Sequence, residues 1–204
     1  MVSRQARARA EHEGRPSPRE RLLEAADELF YAEGVHSVGI DRVIDRADVA
    51  RASLYSTFGS KDELIRAYLE HRMDISTTRL LTAVAAQTDP RERLLSVFDV
   101  QAALFARDDF QGCAFNRATA EAVPGSAAFE VPQAYRRWLR SLFEELAAAV
   151  GAPDPVLLGS QLHLLYDGGM LAASLDQNKT IASASRAAAA ALVDAALASA
   201  AQSA

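Results

Sequence analysis

Three short segments with the same chemistry limit what this chain can fold into. Ser17-Pro18-Arg19-Glu20, Ser60-Lys61-Asp62-Glu63 and Asp89-Pro90-Arg91-Glu92 each place a side-chain oxygen three residues ahead of a glutamate. That spacing satisfies the bare amides of a helix N-terminus, and proline suits the first helical position because its missing N–H would have no partner there. Behind each start, apolar residues recur at helical intervals. They are Leu22, Leu23, Ala26, Leu29 and Phe30; then Leu64, Ile65, Tyr68, Leu69 and Met73; then Leu94, Leu95, Phe98, Ala102 and Phe105.

Further helices follow from the same pattern. Gly34 is expected to stop the first one. Pro132 to Val150 reads as one long helix ending at Gly151, Asp154-Pro155 opens the next through Leu158, Leu162, Leu165 and Met170, and Ile181 to Ala200 forms the last. Alanine dominates after Ser183 and is the best helix former, since it loses no side-chain entropy. With 10 glycines and 7 prolines in 204 residues, a turn-rich all-β chain is excluded. The expected fold is all-α with about nine helices.

Residues 1–16 carry almost no large apolar side chain and are expected to be a disordered tail. Residues 17–72 read as a small N-terminal domain that includes the start of a connecting helix, and 73–204 as a larger helical domain. The single cysteine, Cys113, rules out an internal disulfide and fits a reducing cytoplasm. No apolar run approaches the roughly 20 residues that span a bilayer. Arg4, Arg7 and Arg9 are not followed by an apolar segment, so no secretory signal is expected. The expected location is cytoplasmic.

Between Gly34 and Ser60 the apolar pattern shortens. Ile40, Val43 and Ile44 make one short face ending at Ala47-Asp48; Val49, Leu54, Tyr55 and Phe58 make a second. Helices of about two turns are unstable alone and need a scaffold. Two of them joined by a tight turn are what a helix-turn-helix requires. Bulk charge lends this no support. The formal net charge is −5, with 10 basic and 10 acidic residues through Lys61 and 12 against 17 beyond it. Any contact with DNA must rest on individually placed cations.

The run Ala47-Asp48-Val49-Ala50-Arg51-Ala52-Ser53-Leu54-Tyr55-Ser56-Thr57-Phe58-Gly59-Ser60-Lys61-Asp62-Glu63-Leu64 resembles the recognition-helix signature of the TetR family, A-G-V-S-x-x-[ST]-L-Y-x-x-F-x-[ST]-K-x-x-L. Leu29-Phe30-Tyr31-Ala32-Glu33-Gly34 and Ile40 to Ile44 match that family's first two helices, and the likeness covers Glu20 to Tyr68. It implies a three-helix helix-turn-helix domain followed by a ligand-binding and dimerisation domain. The implied protein is a homodimeric repressor, released by a small-molecule inducer from a pseudo-palindromic double-stranded DNA operator.

The residues make physical sense in that role. Ser53 and Tyr55 offer hydroxyls to phosphate oxygens, and Lys61 sits where cation and helix N-terminus together favour a phosphate. Arg51 is placed to reach base edges, and Arg42 a phosphate or neighbouring base. Ala52, Ser56 and Thr57 complete the predicted contact set, while Leu54 and Phe58 face inward. The chain departs from the pattern at Asp48, in place of a turn glycine; at Ala50, in place of a capping serine; and at Ser56-Thr57, in place of bulkier residues. The N-terminal arginines either touch DNA or form a solubilising tail.

In the larger domain, Phe98, Gln101, Phe105, Phe110, Cys113, Phe115, Tyr135, Trp138, His163 and Tyr166 supply an apolar wall with a few polar groups, as a ligand pocket needs. Leu157, Leu158, Leu162 and Leu165 precede Gly168-Gly169. With Leu192, Val193 and Leu197 they either build a four-helix bundle with a second chain or close the monomer's own core. Gly112-Cys113-Ala114-Phe115-Asn116, with Ala120-Glu121 beyond, resembles the Gly-Cys segment of one branch of these regulators. Arg107 and Arg117 nearby would lower the thiol pKa. The alternative is therefore a regulator sensing oxidants or electrophiles through Cys113, unless that residue is plain core. A remoter alternative is a helical ligand-binding protein without DNA binding. His12, His36, His71 and His163 are scattered, and no nucleophile elbow, phosphate loop or dinucleotide fingerprint occurs, so neither enzyme activity nor a metal or cofactor is expected.

Overall fold

The structure, a computed structural model, describes residues 16–120, 122–176, 178 and 180–202; the expected tail lies outside them apart from Pro16. The described residues are all-α, without a strand, in two units that divide between Tyr68 and Leu69. The N-terminal unit holds α1 (Pro18–Glu33), α2 (Ile40–Ala47), α3 (Arg51–Phe58) and the first turns of α4 (Lys61–Ala85). The C-terminal unit holds the rest of α4, α5 (Pro90–Phe105), α6 (Ala114–Thr119), α7 (Ala127–Ala149), α8 (Pro155–Asp176) and α9 (Thr180–Gln202).

The three start signals operate as the spacing predicts. Ser17 and Glu20 form a reciprocal capping box, the Ser17 N–H donating to Glu20 Oε2 at 2.7 Å and the Glu20 N–H to Ser17 Oγ at 3.2 Å. The Glu63 N–H donates to Ser60 Oγ and the Glu92 N–H to Asp89 Oδ1. α1 ends at Gly34, whose N–H donates to the Phe30 carbonyl. α7 differs from expectation. It begins at Ala127 and carries Pro132 inside it, because the chain turns at Val123 to Ser126 and the proline is buried in the early part of the helix.

The N-terminal core joins Leu22, Ala26 and Phe30 of α1 to Val43 of α2, Leu54 of α3 and Leu64 and Tyr68 of α4, with Phe30 edge-on to Tyr68. Burying a Val or Leu contributes roughly 1.5–3 kcal/mol, which is what holds two eight-residue helices that would melt alone.

In the C-terminal unit α5, α7, α8 and α9 pack around Leu94, Leu95, Phe98, Leu139, Phe143, Leu162, Ala189 and Val193. Two glycines of α8 set how closely its neighbours approach. A Cβ on Gly159 would stand 2.9 Å from the Glu144 backbone nitrogen of α7, and one on Gly169 would stand 2.7 Å from Ser185 Oγ of α9 and 3.0 Å from Gln101 Oε1 of α5. Gly169 thus serves packing within the chain, whereas nothing lies within 4 Å of a Cβ at Gly168.

Thr180–Ser199 is long and apolar enough, with a mean hydropathy of 1.4, to cross a membrane by length and composition alone. Its alanines raise that value. Within the same stretch Arg186 pairs with Asp99 and Glu92 of α5, and Asp194 with Arg91, which itself contacts Glu92, so α9 is seated on α5 by one charged network.

Candidate nucleic-acid interface and candidate ligand core

The turn between α2 and α3 is built around Asp48, which holds a left-handed conformation at φ 51° and ψ 57°. Outside glycine, that conformation is most readily tolerated by Asn and Asp. An unpredicted residue secures it. Arg21, on α1 and largely buried, donates from Nη1 to the Ala47 carbonyl at 3.0 Å and the Asp48 carbonyl at 2.7 Å, and lies 3.8 Å from the Asp48 carboxylate. It satisfies carbonyls that α2 leaves bare at its C-terminus. α3 then starts at Ala50 with no side-chain cap, as the missing serine implies.

α3 turns Leu54 fully inward and half-buries Phe58, over whose ring the Arg19 guanidinium sits 5.7 Å away. Arg51, Ala52, Tyr55, Ser56 and Thr57 are exposed and Ser53 is half-buried, so the predicted contact residues share an outer surface. Tyr55 is 46% exposed. The hydroxyls of Ser56 and Thr57 donate to the Ser53 carbonyl, which occupies their protons. Lys61 opens α4 half-buried, and desolvation holds its ammonium below the usual lysine range.

The arginines are placed differently from expectation. Arg42 had neighbours Asp41, Asp45 and Asp48 in sequence, yet it makes a bidentate pair with Glu33 of α1 at 2.6 and 2.8 Å. That contact lowers the Glu33 pKa and raises that of Arg42. Asp41 instead hydrogen-bonds Arg51 across the α2–α3 junction, and Arg46 pairs with Glu28 at 2.6 Å. These partners had no local signal; each lies 10 or more positions away or on another helix.

In the C-terminal unit most of the predicted pocket residues form packed core. Phe98, Phe105, Phe115, Tyr135, His163 and Tyr166 are buried, while Trp138 and Cys113 are half-buried. Tyr135 stacks on Phe115 with ring centroids 4.1 Å apart, and its hydroxyl interacts with that of Tyr166. Burial raises the pKa of both tyrosines. Gln101 donates from Nε2 to the Tyr166 carbonyl at 2.7 Å, but its Oε1 is buried without a hydrogen-bond partner; Nε2 of His163 likewise has none, its nearest charged group being the Asp167 carboxylate. Desolvation lowers the His163 pKa, opposed by Asp167, whose carboxylate oxygen stands 3.5 Å away and which Arg136 contacts at 2.6 Å. A separate cavity of about 350 Å³ is lined by Phe105, Arg107, Phe110, Gln111, Ser174 and Asn178, among others. Only Phe105 and Phe110 of the predicted set reach it.

Burial pushes the Cys113 thiol up, away from the thiolate that sensing needs. The arginines expected to oppose this are engaged elsewhere: Arg107 with Asp109, and Arg117 with the Gln111 carbonyl.

α8 also divides the leucines predicted for an interface. Leu158 and Leu162 point into the chain's own core, whereas Leu157 is exposed. An outward stripe, Leu157, Leu164, Leu171 and Leu175, follows at heptad-like intervals with Gly168 among them.

A scaffolded pair of short helices, with the second showing a polar and aromatic outer face, defines a helix-turn-helix DNA reader. Residues 22–68 match the family described as bacterial regulatory proteins, tetR family. A solved TetR-family transcriptional regulator from Streptomyces coelicolor is 33% identical, covering 88% of this chain and 95% of that one, with a TM-score of 0.84. The chain belongs to the TetR family of transcriptional regulators. Among curated proteins, the HTH-type transcriptional activator FasR of Mycolicibacterium smegmatis is 40% identical over 80 residues, 39% of this chain and 36% of that protein. The HTH-type transcriptional repressor KstR2 of Mycobacterium tuberculosis is 32% identical over 82 residues, 40% of this chain and 41% of that one. The chain therefore matches less than half the length of these two curated relatives.

Proposed function

We propose that this chain is a cytoplasmic, homodimeric transcription regulator that sets α3 of each protomer into successive major grooves of a pseudo-palindromic operator. It acts as a repressor that a small-molecule inducer releases. The carrying observation is the outer face of α3 ending against Lys61. Tyr55 and Arg51 are exposed, and the half-buried lysine opens α4 beside its first amides. Among the described residues no carboxylate pairs with it. A phosphate there gains the ammonium, the amides and the helix dipole together.

The outward leucines of α8 supply the dimer contact, and the two-fold axis that follows matches a palindromic site. Gln101, Cys113, His163 and the surrounding aromatics line the inducer site in this reading, since Gln101 Oε1 and His163 Nε2 lack a hydrogen bond that a ligand can supply. A gel-shift titration on the DNA upstream of its own gene tests the proposal. Lys61→Ala is expected to weaken binding about 10-fold and to flatten the salt dependence by about one unit. Tyr55→Phe weakens it less. If both variants bind like the parent at every salt concentration, the docking is wrong; if the parent binds no duplex, a ligand-binding protein without DNA function remains.

A further inference from the structure

The helix-turn-helix carries three exposed arginines, and each already touches a carboxylate of another helix or of the helix before it: Arg42 on Glu33, Arg46 on Glu28, Arg51 on Asp41. Both partners of every pair are exposed. Such pairs contribute little to stability, and the apolar core accounts for how these helices stay together. Their effect on DNA is larger. They cancel the positive field that draws a protein to any phosphate backbone, consistent with the even balance of charge through Lys61.

Asp41 has a second consequence. Among the described residues Arg51 makes one hydrogen bond, from Nη2 to Asp41 Oδ1. The carboxylate thus holds one edge of a planar fork that has five donors, and the remaining donors stay available for two acceptors on a base edge. A phosphate approaching Arg51 meets instead a charge already neutralised and a carboxylate that repels it.

We propose that Asp41 is a specificity-determining positioning residue: it suppresses capture of Arg51 by phosphate and orients the guanidinium for a base. Glu33 performs the first of these tasks for Arg42. This rests on the DNA-binding reading given above.

The test uses the full chain and two duplexes: one selected by the parent protein from a randomised pool, and one of the same composition scrambled. Anisotropy titrations run from 50 to 200 mM KCl. Asp41→Asn is expected to bind the scrambled duplex about 10-fold more tightly at the lowest salt, with a salt slope steeper by about one unit. Affinity for the selected duplex stays level or falls, so discrimination drops at least 10-fold. Glu33→Gln tightens scrambled binding in the same direction without that loss of discrimination at the Arg51 base pair. In an Arg51→Met background, Asp41→Asn is expected to shift both duplexes alike and to leave discrimination unchanged.

Unchanged slope and discrimination in Asp41→Asn overturn the proposal while leaving DNA binding intact. So does a loss of discrimination that persists without Arg51, or a uniform loss of affinity tracking a lowered melting temperature. If the parent selects no duplex with salt-sensitive affinity, the DNA-binding reading falls and this proposal falls with it.

Discussion

In the N-terminal unit the exposed arginines of α2 and α3 are paired at rest, and the core beneath them is closed. The C-terminal unit is the reverse: its outer surface leaves four α8 leucines exposed, Leu164 at 72%, and its interior keeps Gln101 Oε1 and His163 Nε2 without a hydrogen bond. A partner for the first unit meets arginines already paired with carboxylates, and gains only through the donors those pairs leave open or by exchanging the pairs. A partner for the second only adds contacts, covering apolar surface or satisfying a buried atom. Exchange favours discrimination, because the net gain depends on geometry. Addition favours affinity, because each buried square ångström contributes roughly 25 cal/mol.

The largest effect should come from the exposed leucines. Leu164→Glu is expected to convert a dimer into monomers in sedimentation, and to lower operator affinity at least about 100-fold as one half-site is lost. A variant that stays dimeric would show that the α8 stripe is not the missing surface. Next is Arg21→Met, which strips two carbonyls of their donor at the α2–α3 turn. Stability is expected to fall by about 1–3 kcal/mol, read by denaturant unfolding, with operator affinity falling as well. Asp48→Gly should retain both, since glycine adopts the same turn freely. An unaltered Arg21→Met protein would mean that the turn holds itself.

The smallest effect concerns the buried imidazole. Burial lowers the His163 pKa in the folded chain, so on acidification the unfolded chain takes up the proton first. Stability should therefore be flat above the ordinary value of 6.5 and decline below it, until the folded group also titrates. His163→Gln should remove that part of the pH dependence in thermal melts between pH 5 and pH 8, roughly the range where histidine titrates. An identical slope in the variant would place the titration elsewhere.

How much of this could be read in advance depended on range. The capping boxes at Ser17 and the caps at Ser60 and Asp89 are legible because donor and acceptor lie three residues apart. The α2–α3 pair is legible from its shortened apolar pattern, and the strain at Asp48 from the residue itself. Arg21 was not, since its acceptors lie 26 and 27 positions away. The pairing of Asp41 with Arg51 rather than with its neighbour Arg42 is likewise set by how the helices cross. α8 is apolar on several sides, so periodicity could not separate the inward Leu158 and Leu162 from the outward Leu164 and Leu171. Pro132 read as a start because proline favours that position, but the Ser126 turn supplies an earlier one.

Gly159 and Gly169 lock α8 to α7, α5 and α9 from the inside, independently of what its outer side carries. Drift on that outer side is therefore uncoupled from folding: Val156, Leu157, Leu164 and Leu171 can change without repacking the bundle. On the dimer contact proposed for α8, copies in a lineage that carries several such regulators can diverge in self-recognition one outward residue at a time. Each remains folded while it stops mixing with its sisters.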